Sequence, residues 1–452
     1  NPRSFSWNVT IPTGLQASVS FRVPIYKIYN EDRIVSIFFN QTDARVWALD
    51  LSDLTKTSTA TSKIFDKWWD APTEWFDGSN TLHYVGASNY VEDAVYGEGV
   101  IGIWSKELTT HYGFSVVDGK YLWATESENY LDAYGWGNAE HTWYYAYGKL
   151  YSVGVAGILY AYDLHTGETA WTYNLTDVYG EPITGQNWWG WITLIADGKI
   201  YLGTLEHSAE QPLPRGAPQV CVNASNGAEI WRVNGMFRDT RWGGNGVIGD
   251  SIIATMDTYD QRVYAIGKGP SQTTVAAGPK VTTEGSSVVI EGQVMDVSPG
   301  LSTTAMNLRF PSGVAAVSDE SQSQWMLYVY KQFEQPTNAT GVPVVINVVD
   351  ANGNFRTVGT TTSDATGYYS FNWTPDITGK YTVIATFAGS KAYYGSYAET
   401  SFAVDAAAAT PTPVPTQPPS AADLYFLPAI IGVIVAILVV GAVLALLVTK
   451  KP

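Results

Sequence analysis

The residues with most scope for chemistry in this 452-residue chain are five histidines: His83, His111, His141, His165 and His207. Two of them stand in Glu-His pairs, Glu140-His141 and Glu206-His207. Imidazole and carboxylate together suit zinc and similar ions. Adjacent residues on a strand point to opposite faces, so neither pair can chelate through both of its own side chains. Two pairs from successive structural units could converge on one axial site, whereas the plainer expectation is that they bond loop backbone. On that basis no resident metal and no cofactor is expected. The single cysteine, Cys221, excludes an internal disulfide and any Cys-based metal cluster. No Ser/His/Asp triad motif and no phosphate-binding loop is present in the sequence.

Aromatic residues form the second set of candidates. Trp136-Gly137-Asn138, Trp189-Gly190-Trp191 and Trp242-Gly243-Gly244-Asn245 recur at matching places, with Trp68, Trp69, Trp75 and Trp188 adding to the concentration. Rings in a rimmed concavity stack on sugar faces or anchor a protein partner. The competing expectation is that the repeat fixes them as packing residues. The candidate binding set is therefore Trp136, Trp189, Trp191, Trp242, Glu140, His141, Glu206 and His207.

The elements that must position these residues come from a repeat. HYGFSVVDGKYLW ends at Trp123, GILYAYDLHTGETAW at Trp171 and APQVCVNASNGAEIW at Trp231. In each, a Gly (Gly119, Gly167, Gly227) stands four residues before the Trp, and Asp163 and Asn223 stand four before the later two glycines. Alternating apolar residues, a Gly-containing turn and a Trp on the returning strand describe a β-hairpin. YGKLYSVG, DGKIYLG and GDSIIATM each supply a further strand. The unit is a four-stranded antiparallel sheet of roughly 45 to 60 residues, the blade of a β-propeller.

These repeats, over about residues 1–269, resemble the PQQ-type propeller family of quinoprotein dehydrogenases and non-catalytic scaffold propellers. AYDLHTGETAW is the most faithful copy; those around Trp47 (RVWALDLSD) and Trp123 are degenerate. The resemblance implies that Trp123, Trp171 and Trp231 wedge between neighbouring blades. About five blades are expected, with either RSFSWNVTIP at the start of the chain closing the ring or further blades lying upstream. The quinoprotein enzymes need a Trp-floored pocket, calcium-coordinating Glu and Asn, a catalytic Asp and often adjacent cysteines. No Cys pair and no CxxCH stands here.

Downstream, residues 271–404 change to longer alternating strands with turns at DANGN and DATG, as in a sandwich with one buried face per sheet. TSDATGYYSF and TPDITGKYTVIATF resemble the Ig-like modules of prokaryotic surface proteins, and residues 318–331 read as a helical insertion. Residues 405–423 form a Pro/Thr-rich stalk. Residues 424–449 are an apolar run long enough to span a bilayer, followed by Lys450 and Lys451 in a tail, 450–452, that the positive-inside rule places in the cytoplasm.

The fold class expected is thus all-β, a propeller followed by an Ig-like sandwich and one C-terminal transmembrane helix. The arrangement resembles archaeal cell-surface proteins. Six glycosylation sequons (Asn8, Asn40, Asn174, Asn223, Asn338, Asn372) fit an exterior location, and a net charge of −16 argues against nucleic acid. The expected function is a non-catalytic, membrane-anchored surface scaffold whose partner is an envelope protein, a copy of itself or a glycan. The alternative is a quinoprotein or metal-dependent oxidoreductase.

Overall fold

The computed structural model describes residues 7–12, 27–29, 31–39, 42–75, 95–105, 108–129, 141–180, 187–204, 217–235, 246–257, 260–408 and 416–450. Its first half is a succession of antiparallel sheets in which each strand pairs with the next in sequence. The first sheet holds Lys27–Tyr29, Arg33–Phe39, Asp43–Asp50 and Lys63–Asp70. The second holds Val95–Gly97, Val100–Ser105, Thr110–Ser115 and Tyr121–Ala124. The third holds Thr142–Ala146, Lys149–Val153, Ile158–Asp163 and Thr169–Asn174. The fourth holds Gly190–Ala196, Lys199–Thr204, Gln219–Asn223 and Glu229–Val233. A fifth, of three strands, holds Val247–Gly249, Ile252–Asp257 and Arg262–Ile266. This is the blade pattern of a β-propeller.

The second, third and fourth sheets are buried on both faces along their middle strands, so they stack against one another. In the third sheet Leu150 and Tyr162 pack with Val100, Trp104 and Trp123 of the second. The alternate residues Tyr151, Val153, Leu159 and Ala161 pack with Ile192, Ile200, Leu202 and Val220 of the fourth. The period-2 side-chain alternation of a strand turns one set toward each neighbour.

A repeated device locks each sheet to the next. Trp123, Trp171 and Trp231 lie opposite Gly113, Ala161 and Cys221, and each pairing is followed by a bulge in the register. Phe65, opposite Ala48 and beside the same bulge, holds this position in the first sheet. The degenerate copy RVWALDLSD supplies the strand before the wedge, with Trp47 on it, and the wedge itself is a phenylalanine. A Cβ at Gly119 would meet the Phe65 ring, one at Gly167 would meet Trp123, and one at Gly227 would meet Trp171. Each wedge therefore sits under the turn of the following sheet. Gly167 has φ of 73°, a conformation that costs an L-residue with a Cβ about 1 to 2 kcal/mol. The same turn is closed by Asp163, whose carboxylate accepts from the backbone N–H groups of His165 and Thr166. Asn223 and Ser115 play this part in the fourth and second sheets.

The start of the chain does not pair with the fifth sheet among the described residues. Trp7, Val9 and Ile11 instead pack on Trp47 and Leu49, and the Trp7 indole donates to the Lys56 carbonyl at 2.9 Å.

Beyond residue 270, two five-stranded sheets enclose a second core. One contains Val288–Asp296 and Tyr368–Trp373; the other contains Pro343–Val349, Phe355–Thr362, Gly379–Phe387 and Ser396–Asp405. Val288, Ile290, Val294 and Tyr369 from the first meet Val344, Ile346, Val348, Tyr381, Val383 and Phe402 from the second. A helix, Gln322–Lys331, lies within the 318–331 stretch and docks on the blades. Ser323 donates to the Arg232 carbonyl, and Lys331 pairs with Asp257 and, at 3.0 Å, with Asp260. The last element, Ala421–Thr449, is a 29-residue helix with an 18-residue window of mean hydropathy 3.3 and no residue buried in the protein. At 1.5 Å per residue it is about 44 Å long, more than a bilayer core of about 30 Å.

Candidate metal centre

One group of ligand-type side chains converges among the described residues: His111, Glu128 and His141, all buried, with their ligating atoms within 4.8 Å of one another. They lie between the second and third sheets. His111 stands near the start of the strand Thr110–Ser115, opposite Trp104. Its backbone is fixed by reciprocal bonds with Thr125, whose hydroxyl accepts from the His111 N–H and whose N–H donates to the His111 carbonyl. Glu128 follows the last strand of the second sheet, held there by a 2.7 Å bond from its N–H to the Thr109 carbonyl. His141 immediately precedes Thr142–Ala146, and Ser152 faces the cluster from the neighbouring strand, paired with Trp143.

The geometry is tight. His111 Nε2 lies 3.0 Å from Glu128 Oε1 and 3.0 Å from Ser152 Oγ. His141 Nε2 lies 3.3 Å from Glu128 Oε2 and 2.7 Å from Ser152 Oγ. The Tyr162 hydroxyl donates to Glu128 Oε1 at 3.2 Å. Trp104 covers both imidazoles, with ring centroids 4.4 Å from His111 and 4.3 Å from His141, and Trp143 lies 4.8 Å from His111. The shell is aromatic and dry.

Burial pushes the His111 imidazole down to about 4, against the pull of Glu128, so the ring is neutral at neutral pH. Burial alone would raise the Glu128 carboxyl, but the two imidazoles beside it hold it below the usual range. A neutral imidazole and an ionised carboxylate are the states in which these groups ligate cations.

The expected site residues fare unevenly. His141 is in the cluster, where its carboxylate partner is Glu128, which follows the preceding sheet, and where it meets a second imidazole, His111. Trp189 and Trp191 are each only 6% exposed and pack with Val155. They are interior packing residues and not an open aromatic rim, because their strand enters the interface between the third and fourth sheets. Trp136, Glu140, Glu206, His207 and Trp242 lie outside the described residues. Of the sequons, Asn8, Asn174, Asn338 and Asn372 are exposed and Asn223 is half-buried, its side-chain oxygen occupied by its turn; Asn40 lies outside the described residues. Cys221 is buried, and burial pushes its thiol up to about 12. The sole cysteine is thus a packing residue and not the redox-active pair that quinoprotein enzymes often carry.

Glu128 is the residue that sequence reasoning passed over. It sits in TESEN, a polar run that reads as a loop. A usable signal existed in Ser152 and His111, polar residues at inward-facing positions of otherwise apolar strands.

No protein-family profile and no curated protein matches the chain. Among solved structures it is similar to BamB from Moraxella catarrhalis, at 12% identity over 80% of this chain and 100% of that one, with a TM-score of 0.30. It is similar to a europium-containing methanol dehydrogenase at 13% identity, over 86% of this chain and 74% of that one, with a TM-score of 0.34. The computationally designed Ika8 protein is similar at 10% identity, over 56% of this chain and 73% of that one, with a TM-score of 0.26.

Proposed function

We propose that this chain is a membrane-anchored, non-catalytic scaffold whose propeller-type sheets carry a partner outside the cytoplasm. The observation that carries the reading is the C-terminal order of parts: a β-sandwich, a Pro/Thr-rich stretch, then a lone apolar helix with no residue buried in the protein. Such a helix has lipid as its natural surroundings, and the stretch before it acts as a spacer. By the positive-inside rule, Lys450 and Lys451 support a cytoplasmic far end with the sheets on the other side. Exposed sequons at Asn8, Asn174, Asn338 and Asn372 agree with that side. The absence of paired cysteines from the sequence favours a scaffold over a quinoprotein oxidoreductase. The partner proposed is another envelope protein or a second copy of this chain; with Trp189 and Trp191 interior, those two rings offer no platform for a glycan.

Protease applied to intact cells tests the topology. It should release a soluble fragment ending between Ala406 and Ser420, since an extended Pro-rich segment is open to cleavage. Cleavage that requires permeabilised cells would reverse the orientation. Reconstitution with PQQ and calcium should give no dye reduction with alcohols or sugars, and quinone-dependent turnover would replace the scaffold with an enzyme.

A further inference from the structure

We propose that His111, Glu128 and His141 bind one divalent ion of the zinc class, with the Ser152 hydroxyl as fourth donor, and that this ion clamps the second sheet to the third. Four polar atoms from four separate segments converge there: two imidazole nitrogens, one carboxylate oxygen and one hydroxyl. Tetrahedral zinc with bonds of about 2.0 to 2.1 Å sets its ligand atoms about 3.3 Å apart. Ser152 Oγ lies 3.0 Å from His111 Nε2 and 2.7 Å from His141 Nε2, the two Glu128 oxygens lie 3.0 Å (Oε1) and 3.3 Å (Oε2) from the same two nitrogens, and one ligand atom from each of His111, Glu128 and His141 falls within 4.8 Å of the others. Donor atoms this close together are within the reach of one small cation.

The donor chemistry selects the ion class. Calcium and magnesium prefer shells made wholly of oxygen, and calcium takes six to eight ligands. Two imidazoles with one carboxylate suit zinc and its first-row neighbours. The surroundings point the same way. Trp104, Trp143 and Tyr162 enclose the group, and the adjoining face of the third sheet is otherwise apolar. His111 makes its polar side-chain contacts through Nε2, and its buried Nδ1 has no hydrogen-bond partner among the described residues, so the ring is aimed at this group alone. Burying two imidazoles and a carboxylate costs free energy that apolar residues of similar volume would not. A bound cation offsets that cost. His111 and Glu128 belong to the second sheet and His141 and Ser152 to the third, which makes the ion a cross-link between sheets and gives it a structural role.

The test uses the full chain in detergent, stripped with a chelator under native conditions and titrated with cobalt(II). Cobalt should bind one per chain with the intense visible bands of a tetrahedral N/O site, zinc should displace it, and either metal should raise the melting temperature. Glu128→Gln and His141→Ala should abolish the bands. A variant with His83, His165 and His207 all changed to Ala should keep them. Should the cluster variants fail to fold, the wild-type titration and the triple variant decide the matter alone. Absence of a saturable tetrahedral spectrum in the wild-type chain would overturn the proposal. So would bands that persist in Glu128→Gln or disappear in the triple variant.

Discussion

The wedge between sheets can be broken from either side, and the two breaks should not be independent. Trp123 is 4% exposed, and its indole donates to the Leu164 carbonyl of the next sheet at 2.8 Å. Truncating a buried aromatic side chain of this size to alanine typically costs about 3 to 5 kcal/mol. Gly167 faces it: an added Cβ would stand 3.0 Å from the Trp123 Cβ and 3.1 Å from its ring. Gly167→Ala therefore carries two costs, about 1 kcal/mol for a positive φ and a further 1 kcal/mol or more for crowding. In the double variant the clash with the ring disappears, while the contact with the Cβ at position 123 and the backbone cost remain. The double variant should thus be less destabilised than the sum of the single changes by about 1 kcal/mol. Urea unfolding of the full chain, followed by circular dichroism, measures all three corners of the cycle against wild type. A Trp123→Ala cost below about 1 kcal/mol, or additivity within about 0.3 kcal/mol, would show that the turn does not rest on the tryptophan.

The docked helix supplies a second set of expectations. Lys331→Met should remove the ammonium that the buried Asp257 and the exposed Asp260 share and cost about 1 to 3 kcal/mol, seen as faster amide exchange across Gln322–Lys331. The same contact should depend on pH at both ends. Burial raises the Asp260 carboxyl, but hydrogen bonds from Tyr264 and Lys331 outweigh it and lower the group from 3.8, so its contribution is full above that value and lost as pH falls through the lowered one. Burial lowers the Lys331 ammonium, but Asp257 and Asp260 outweigh it and raise the group from 10.5, so its contribution is full below that value and lost as pH rises through the raised one. Exchange protection of the helix should therefore be flat between these limits and fall outside them; a fall near neutral pH would assign the docking to other groups. Trp189→Ala should destabilise the blades by about 3 kcal/mol in calorimetry, as a buried ring does, and a neutral result would return Trp189 to the surface.

Much of the fold was legible because strand periodicity and turn chemistry are local. Asp163 and Asn223 stand where a turn needs a side-chain acceptor, and Gly167 and Gly227 where it needs room and a positive φ. The first repeat reads as degenerate because its wedge is Phe65 and not a tryptophan. Only the register, with Phe65 opposite Ala48 beside the shared bulge, reveals the equivalence. The site was less legible, for a physical reason. Its members come from separate segments brought together by stacking of sheets, so no spacing along the chain encodes them. His141 drew attention through its neighbour Glu140, whereas its partner is Glu128, whose surroundings in sequence are those of any solvated loop. Trp189 and Trp191 were ambiguous for the opposite reason: a tryptophan beside glycine packs or binds according to what covers it, and the cover comes from other strands.

The strand Ser396–Asp405 leads toward the membrane helix, and its far edge is met by Val281–Thr283, running parallel to it through three residue pairs. A tug on the anchor, opposed by something held on the blades, enters the sandwich along these two strands in opposite senses. Parallel end strands pulled that way are sheared, so their hydrogen bonds share the load instead of parting one after another. The Lys280 side chain, bonded to the Thr400 hydroxyl and the Ser401 carbonyl, adds a strut at the same seam. On the proposed anchoring, the sandwich would act as a mechanical coupler between bilayer and blades, resisting pull along these strands.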